Sequence, residues 1–195
     1  MKRIILFITV SLFVIPSYAQ FKANMVFNSM DKELVFTIYS GDEGYRYEYN
    51  KDGHEGVIIA KKSANQIIML MPQQKMAMKS PAESQMSMDS DPFKEYEHYQ
   101  KDGTLKKIGK ETINGIKCTK SELWSKGGDE YGEVKRKIFT VWISEKYDFP
   151  IKIINHLDES CDSAMELKNF EPWTPDIQSF EIPEGYKVLD MGALM

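Results

Sequence analysis

The sequence of 195 residues contains few cysteines and no block of basic residues. Two cysteines, Cys118 and Cys161, are too few for a disulfide-rich scaffold, and no Cys-x-x-Cys pair indicates a thioredoxin-like redox function. The 29 acidic residues outnumber the 25 basic residues, so the formal net charge is -4. Because nucleic-acid binding depends on clustered Lys and Arg, this balance excludes nucleic acid as a main partner.

Recognisable catalytic motifs are also missing. His54, His98 and His156 lie far apart in the chain, and none belongs to a zinc-binding pattern such as His-Glu-x-x-His. Gly-x-Ser-x-Gly and phosphate-loop patterns do not occur either. No residue is therefore a candidate nucleophile or general base, and we expect a non-enzymatic protein that needs no cofactor.

The first nineteen residues have the pattern of a secretory signal peptide. Lys2 and Arg3 precede an apolar stretch at 4–15, and the small residues Ser17 and Ala19 fit a signal peptidase. That stretch is too short for a membrane span, which needs about 20 residues. We predict cleavage of 1–19, a mature chain that starts at Gln20 without an integral membrane segment, and a periplasmic location. No cysteine follows the cleavage point, so no lipid anchor is expected.

Apolar and polar residues alternate through most of the mature chain, which predicts β-strands. A hairpin is expected at Asn114-Gly115, a favoured pair for two-residue turns. Turn signals separate about nine to eleven strands of ordinary length, and we expect the strands from 116 to 170 to form a simple meander. In that meander Cys118 and Cys161 lie at opposite ends of separated strands, so we expect both to be free thiols.

The stretch 80–103 interrupts this pattern. Asp91 is a candidate N-cap and Pro92 a candidate first residue of a short helix that extends to Lys101. A further helical turn is expected at 175–180. A large sheet with so little helix must curl on itself. The fold class is therefore mainly β, with a strongly curved antiparallel sheet and one or two short helices.

Several short segments resemble a family of uncharacterised secreted bacterial proteins related to the periplasmic lipoprotein-carrier (LolA-like) proteins. These segments are 67–78, 109–118, 141–144, 149–152 and 180–186. The resemblance implies that 20–195 is a single LolA-like domain, an incomplete barrel whose helices form a lid over an apolar groove for acyl chains. It implies no catalytic residues. The basic and aromatic positions by which true carriers receive lipoproteins have no match in this sequence.

Methionine is concentrated in one part of the chain, where six of the 12 fall between Met69 and Met88. If 72–75 is a loop, Met71 pairs with Met76 and Met69 pairs with Met78, and all four thioethers share one face of a hairpin. Three explanations are open. The methionines form packed core, or they line an adaptable groove for a lipid, or they form a soft-metal site for Cu(I).

Three tyrosines, Tyr45, Tyr47 and Tyr49, share one face of a predicted strand. They either pack in the core, with hydroxyl groups at the sheet edge, or contribute to a ligand groove or a carbohydrate-stacking face. Together with the four hairpin methionines they are the candidate ligand-binding residues.

The interpretation that best fits these patterns is a periplasmic protein that holds a hydrophobic ligand beneath a lid formed by 80–103. The expected partner is a hydrophobic small molecule or lipid, including the acyl chain of a lipoprotein. The alternatives are a Cu(I)-binding module that uses the Met-x-Met pairs, and an envelope sensor whose groove accepts a protein segment.

Overall fold

The computed structural model describes residues 20–29, 32–51, 53–127, 134–157, 163–176 and 178–193. The predicted signal peptide and Cys161 lie outside these ranges, so the expectations about cleavage and about a second free thiol remain predictions. Cys118 is a free cysteine and is buried. Within the described ranges, no helix combines the length and the apolar character that crossing a membrane requires.

Twelve strands of the described residues form a single sheet. They are β1 (Phe21–Ser29), β2 (Lys32–Gly41), β3 (Gly44–Lys51), β4 (His54–Lys61), β5 (Gln66–Met71), β6 (Met76–Pro81), β7 (Thr104–Ile113), β8 (Ile116–Trp124), β9 (Lys137–Ser144), β10 (Pro150–Asn155), β11 (Ser163–Pro172) and β12 (Lys187–Asp190). A 3₁₀ turn, Pro72–Gln74, joins β5 to β6. Two helices, α1 (Gln85–Ser90) and α2 (Pro92–Asp102), lie between β6 and β7.

The strand order is β12-β6-β5-β4-β3-β2-β1-β11-β10-β9-β8-β7. Two antiparallel meanders, β1 to β6 and β7 to β11, therefore join where β1 pairs with β11. The predicted meander from β8 to β11 is confirmed. One pairing differs from the all-antiparallel expectation, because β12 runs parallel to β6. The sequence did not predict β12, since it is four exposed residues without an apolar face.

The sheet is strongly curved, as the contacts of Phe149 show. Tyr45 lies on β3, four strands away from β10, and strands in a flat sheet are about 4.8 Å apart. Phe149 directly precedes β10, yet its ring centroid is 5.5 Å from that of Tyr45. The face that carries these rings is therefore concave. The sheet does not close into a barrel, and the predicted fold class is confirmed.

Helix α2 begins as the sequence predicts. The Asp91 carboxylate accepts hydrogen bonds from the backbone N–H groups of Phe93 and Lys94, which are otherwise unpaired at a helix start. Helix α1 was not predicted, because its sequence is polar and lacks an apolar period. It is capped by Ser84, whose hydroxyl accepts a hydrogen bond from the Ser87 N–H.

The C-terminal segment crosses the outer, convex face of the sheet. Phe180 is buried there against an apolar cluster from β4, β5 and β6, with Trp173 and Tyr186 packed at its margin. Arg46 donates a hydrogen bond to the Ser179 carbonyl. The helical turn expected at 175–180 is a hydrogen-bonded turn in its described residues, and Ile177 lies outside them.

The hairpin between β7 and β8 has the predicted turn at Asn114 and Gly115, whose φ angles are 48° and 79°. Because a side chain at positive φ costs roughly 1–2 kcal/mol, Gly115→Ala should lower the free energy of unfolding by about that amount. Gly109→Ala is the matched control, because Gly109 lies on β7 of the same hairpin, has no positive φ, and a Cβ there meets no atom. Urea unfolding of both variants checks this prediction, and equal stability would contradict it.

Candidate functional site

The methionine hairpin has the predicted register. Met71 pairs with Met76 and Met69 pairs with Met78 across β5 and β6. The 3₁₀ turn ends at Lys75, whose φ of 48° closes the loop. All four methionines are half-buried, which leaves part of each thioether side chain accessible.

The four methionines lie on the concave face. Met69 packs against the main core, in which Ile67 and Ile58 are buried. The alternate residues Ile68 and Leu70 instead belong to the cluster on the convex face. Because strand residues two apart share a face, the pairing places the whole methionine set on the helix-covered side.

The three predicted tyrosines divide into two groups. Tyr45 and Tyr47 are buried beneath the helices. The Tyr45 hydroxyl donates to Asp91 Oδ1 at 2.9 Å, and the Tyr47 hydroxyl donates to the Ser90 carbonyl oxygen. Burial raises the pKa of both hydroxyls well above the ordinary value, so they remain protonated donors at neutral pH. These two tyrosines attach the junction between α1 and α2 to the sheet.

Tyr49 is half-buried and belongs instead to a row of half-buried apolar side chains. Its ring centroid is 6.0 Å from that of Phe36, and Phe36 is 5.4 Å from Phe27. Beyond Tyr49, the sheet register leads past Gly56 to Met71 and Met76. We call Phe27, Phe36, Tyr49, Met71 and Met76 the aromatic–methionine row.

Phe27 and Phe36 were not among the candidate residues. The signal that could have found them is the two-residue period of β1 and β2, in which Phe27 pairs with Leu34 and Phe36 pairs with Met25 on one face. The sequence alone does not indicate which of the two faces of these strands is covered by the helices. Only the position of the helices shows that this face is the covered one.

One end of the row opens into a cavity of about 160 Å³, which we call the inner cavity. It lies between the junction of the two helices and strands β1, β9, β10 and β11. The inner cavity is lined by Phe27, Met88, Asp89, Ser90, Asp91, Pro92, Glu95, Phe139, Ile153, Asn155, Ser163, Ala164 and Met165. About half of its lining residues are apolar, and most of its polar residues lie on the helix side.

Three carboxylates line the inner cavity, and no Lys, Arg or His does among its described residues. Burial raises the pKa of Asp91 to about 6, although hydrogen bonds from Lys94 N–H, Tyr45 and Phe93 N–H act in the opposite direction. Burial also raises the pKa of Glu95, which accepts a hydrogen bond from the Asn155 amide at 3.0 Å. Asp91 Oδ2 is buried and has no hydrogen-bond partner among the described residues.

The described residues contain no group of three or more His, Cys, Asp or Glu that could hold a metal ion. A second cavity, of about 510 Å³, is lined by residues of β2, β3 and β4 that include the polar side chains of Glu48, Asn50 and Glu55. Tyr49 of the row and Pro72 of the 3₁₀ turn also line it, whereas no lining residue comes from α1 or α2. The inner cavity with its adjoining row is therefore the better candidate site for an apolar ligand.

Several solved structures are similar to this chain at low sequence identity. An uncharacterised conserved protein from Thermus thermophilus matches with a TM-score of 0.56 and 13% identity over 90% of this chain and 92% of that chain, which shows a common fold. A LolA superfamily protein from Nitrosomonas europaea matches with a TM-score of 0.42 and 13% identity over 84% of this chain and 90% of that chain. The lipoprotein LppX from Mycobacterium tuberculosis matches with a TM-score of 0.42 and 15% identity over 80% and 89% of the two chains.

The search of curated proteins gives no match. A family model, in contrast, matches residues 23–146, from the first strand to the turn after β9. This match includes the helix pair, the methionine hairpin and the three tyrosines. Since it spans more than half of the sequence, the chain belongs to the family described as Domain of unknown function (DUF4412).

Proposed function

We propose that this protein is a non-enzymatic periplasmic binding protein that holds a hydrophobic ligand, a lipid or an acyl chain, on its concave face. The observation that carries the proposal is the aromatic–methionine row, because five large apolar side chains lie side by side and are only half-buried. Core residues around them, such as Met25 and Ile38, are completely buried. The row thus retains apolar surface that a ligand would remove from water.

Burial of the ligand would supply the binding energy. Each CH₂ group removed from water contributes about 0.8 kcal/mol, so an acyl chain can bind without a charged anchor. Methionine suits such a surface because its unbranched side chain adapts to different ligand shapes. The helix pair supports the proposal as a cover, since Tyr45 and Tyr47 hold it against the sheet at one side of the row.

The test replaces Met71 and Met76 together by Gln, which keeps side-chain length but adds amide groups. An unpaired polar group in an apolar site costs about 1–3 kcal/mol. Affinity for an uncharged fluorescent fatty-acid ester should therefore fall by roughly 5- to 150-fold for each unpaired amide, given that 1.4 kcal/mol is a factor of ten. Fluorescence titration of the folded variant measures this change.

The matched control is Val35→Gln, because Val35 is 51% exposed, lies outside the row and lines the second cavity and not the inner cavity. This variant should retain the affinity of the parent protein. Unchanged affinity in the folded double methionine variant would refute the assignment of the row, and a loss confined to Val35→Gln would move the site to the second cavity.

The same double variant tests the Cu(I) alternative, which the cross-strand pairing of the thioethers favours. Stoichiometric Cu(I) binding by the parent protein that is lost in the double variant would support a soft-metal module. Absence of Cu(I) binding by the parent would reject it.

A further inference from the structure

We infer that the inner cavity binds a cationic head group, so that the ligand of this protein is an amphiphile with a primary ammonium group on a hydrocarbon chain. This inference rests on the proposed function, because the hydrocarbon chain would occupy the aromatic–methionine row. It adds the chemical class of the ligand and the location of its polar end.

The polar groups of the inner cavity favour a positively charged donor. Asp89, Asp91 and Glu95 contribute three carboxylates, and no basic side chain among the described lining residues neutralises them there. Lys94 lies nearby on α2 but forms an ion pair with Glu97 outside the cavity. An anionic head group such as a carboxylate or phosphate would be repelled, whereas an ammonium group would be attracted.

Asp91 provides an independent observation that points to a ligand. It is 1% exposed, and its Oδ1 accepts hydrogen bonds from Tyr45, Phe93 N–H and Lys94 N–H. Its Oδ2 is equally buried but has no partner among the described residues. A buried carboxylate oxygen without a partner is costly, and an ammonium group in the cavity would satisfy it with a charge-assisted hydrogen bond.

The apolar walls also suit an alkylammonium ion. The rings of Phe27 and Phe139 line the same cavity, and aromatic faces attract cations. Phe27 is at once part of the cavity and the first member of the aromatic–methionine row. A chain attached to the ammonium group can therefore continue over Phe36 and Tyr49 toward the methionine hairpin. With about 160 Å³, the cavity has room for a head group and not for a whole lipid.

The experiment compares three ligands of equal chain length, dodecylammonium, dodecanol and dodecanoate, by displacement of a neutral fluorescent probe at pH 7.5. A charge-assisted hydrogen bond contributes about 1.5–3 kcal/mol, so dodecylammonium should bind roughly 10- to 150-fold more tightly than dodecanol. Dodecanoate should bind most weakly. Butylammonium, which has the head group without the long chain, should not displace the probe at the same concentrations.

Two substitutions, Asp91→Asn and Glu95→Gln, should each reduce the preference for dodecylammonium over dodecanol by at least about tenfold while dodecanol still binds. Glu97→Gln is the matched control, because Glu97 lies on the same helix and does not line the cavity. This control should retain the preference.

Failure of the inference is distinguishable from failure of the proposed function. Equal affinity for dodecylammonium and dodecanol, with both weakened by the double methionine variant, would overturn the head-group assignment and leave the apolar groove intact. Tighter binding of dodecanoate would also overturn it. If butylammonium displaced the probe as strongly as dodecylammonium, the hydrocarbon chain would contribute nothing, and the assignment of the ligand as an amphiphile would be refuted. No binding of any long-chain ligand would refute both proposals.

Discussion

Replacement of Phe93 by Ala is expected to cost about 3–5 kcal/mol of unfolding free energy, the range measured for large aromatic residues removed from cores. Phe93 is 2% exposed and belongs to α2. Its ring centroid is 5.0 Å from that of Tyr45 and 4.8 Å from that of Phe149, so it joins the helix to both halves of the curved sheet. Urea denaturation followed by tryptophan fluorescence measures the loss.

The control for this prediction is Glu97→Ala on the same helix. The Glu97 side chain is 51% exposed and forms an ion pair with Lys94, and exposed pairs of this kind contribute about 0–1 kcal/mol. A loss below about 1 kcal/mol for Phe93→Ala would contradict the packing of α2 against the sheet, because removal of a buried phenyl ring lowers the free energy of unfolding by more than that.

The second large effect concerns the pH dependence of stability. Burial raises the pKa of Asp91 from the ordinary 3.8 to about 6 in the folded protein. Between these values the folded state binds the proton more tightly than the unfolded state, so the contribution of Asp91 to stability decreases as the pH rises. At 1.36 kcal/mol for each pKa unit the total loss from this group is about 3 kcal/mol, and we expect about 2 kcal/mol of it between pH 4 and pH 7.

Asp91→Asn isolates that contribution. The amide oxygen can still accept from Phe93 N–H, Lys94 N–H and Tyr45, but the side chain no longer ionises. The difference in unfolding free energy between parent and variant should therefore change by about 2 kcal/mol in favour of the variant from pH 4 to pH 7. Contributions of carboxylates distant from Asp91 cancel in this difference.

Asp102→Asn serves as the control for the pH series. The Asp102 side chain is 93% exposed at the end of the same helix, so its substitution should leave the pH profile of the parent unchanged. Urea unfolding at half-unit pH steps supplies the comparison. Parallel profiles for parent and Asp91→Asn would show that Asp91 titrates normally in the folded state and would refute the prediction.

Local sequence patterns were sufficient for most of the secondary structure. The register of the methionine hairpin follows from a loop at 72–75 and the two-residue strand period, and the structure has that register. The turn at Asn114-Gly115 and the N-cap at Asp91 depend on the conformational preferences and hydrogen-bonding capacity of the residues themselves. Such features are encoded within a few residues, so they can be predicted without the rest of the chain.

Other elements depended on partners distant in the chain. Strand β12 exists because its backbone groups pair with β6, more than 100 residues earlier, and its own sequence lacks an apolar period. Helix α1 has no apolar stripe, but the Ser87 hydroxyl donates to the Pro81 carbonyl oxygen and ties it to the sheet. Neither interaction leaves a periodic signal in the local sequence.

The candidate site also combines features that local sequence predicts with features that depend on residues distant in the chain. Period-two patterns placed four methionines on one face and three tyrosines on another strand face, but alternation does not determine which face the helices cover. Only the tertiary structure separates Tyr45 and Tyr47, which hold the helix junction, from Tyr49, which continues the half-buried row. The inner cavity was beyond sequence analysis for the same reason, because curvature of the sheet and docking of two helices bring its carboxylates against apolar residues of four distant strands.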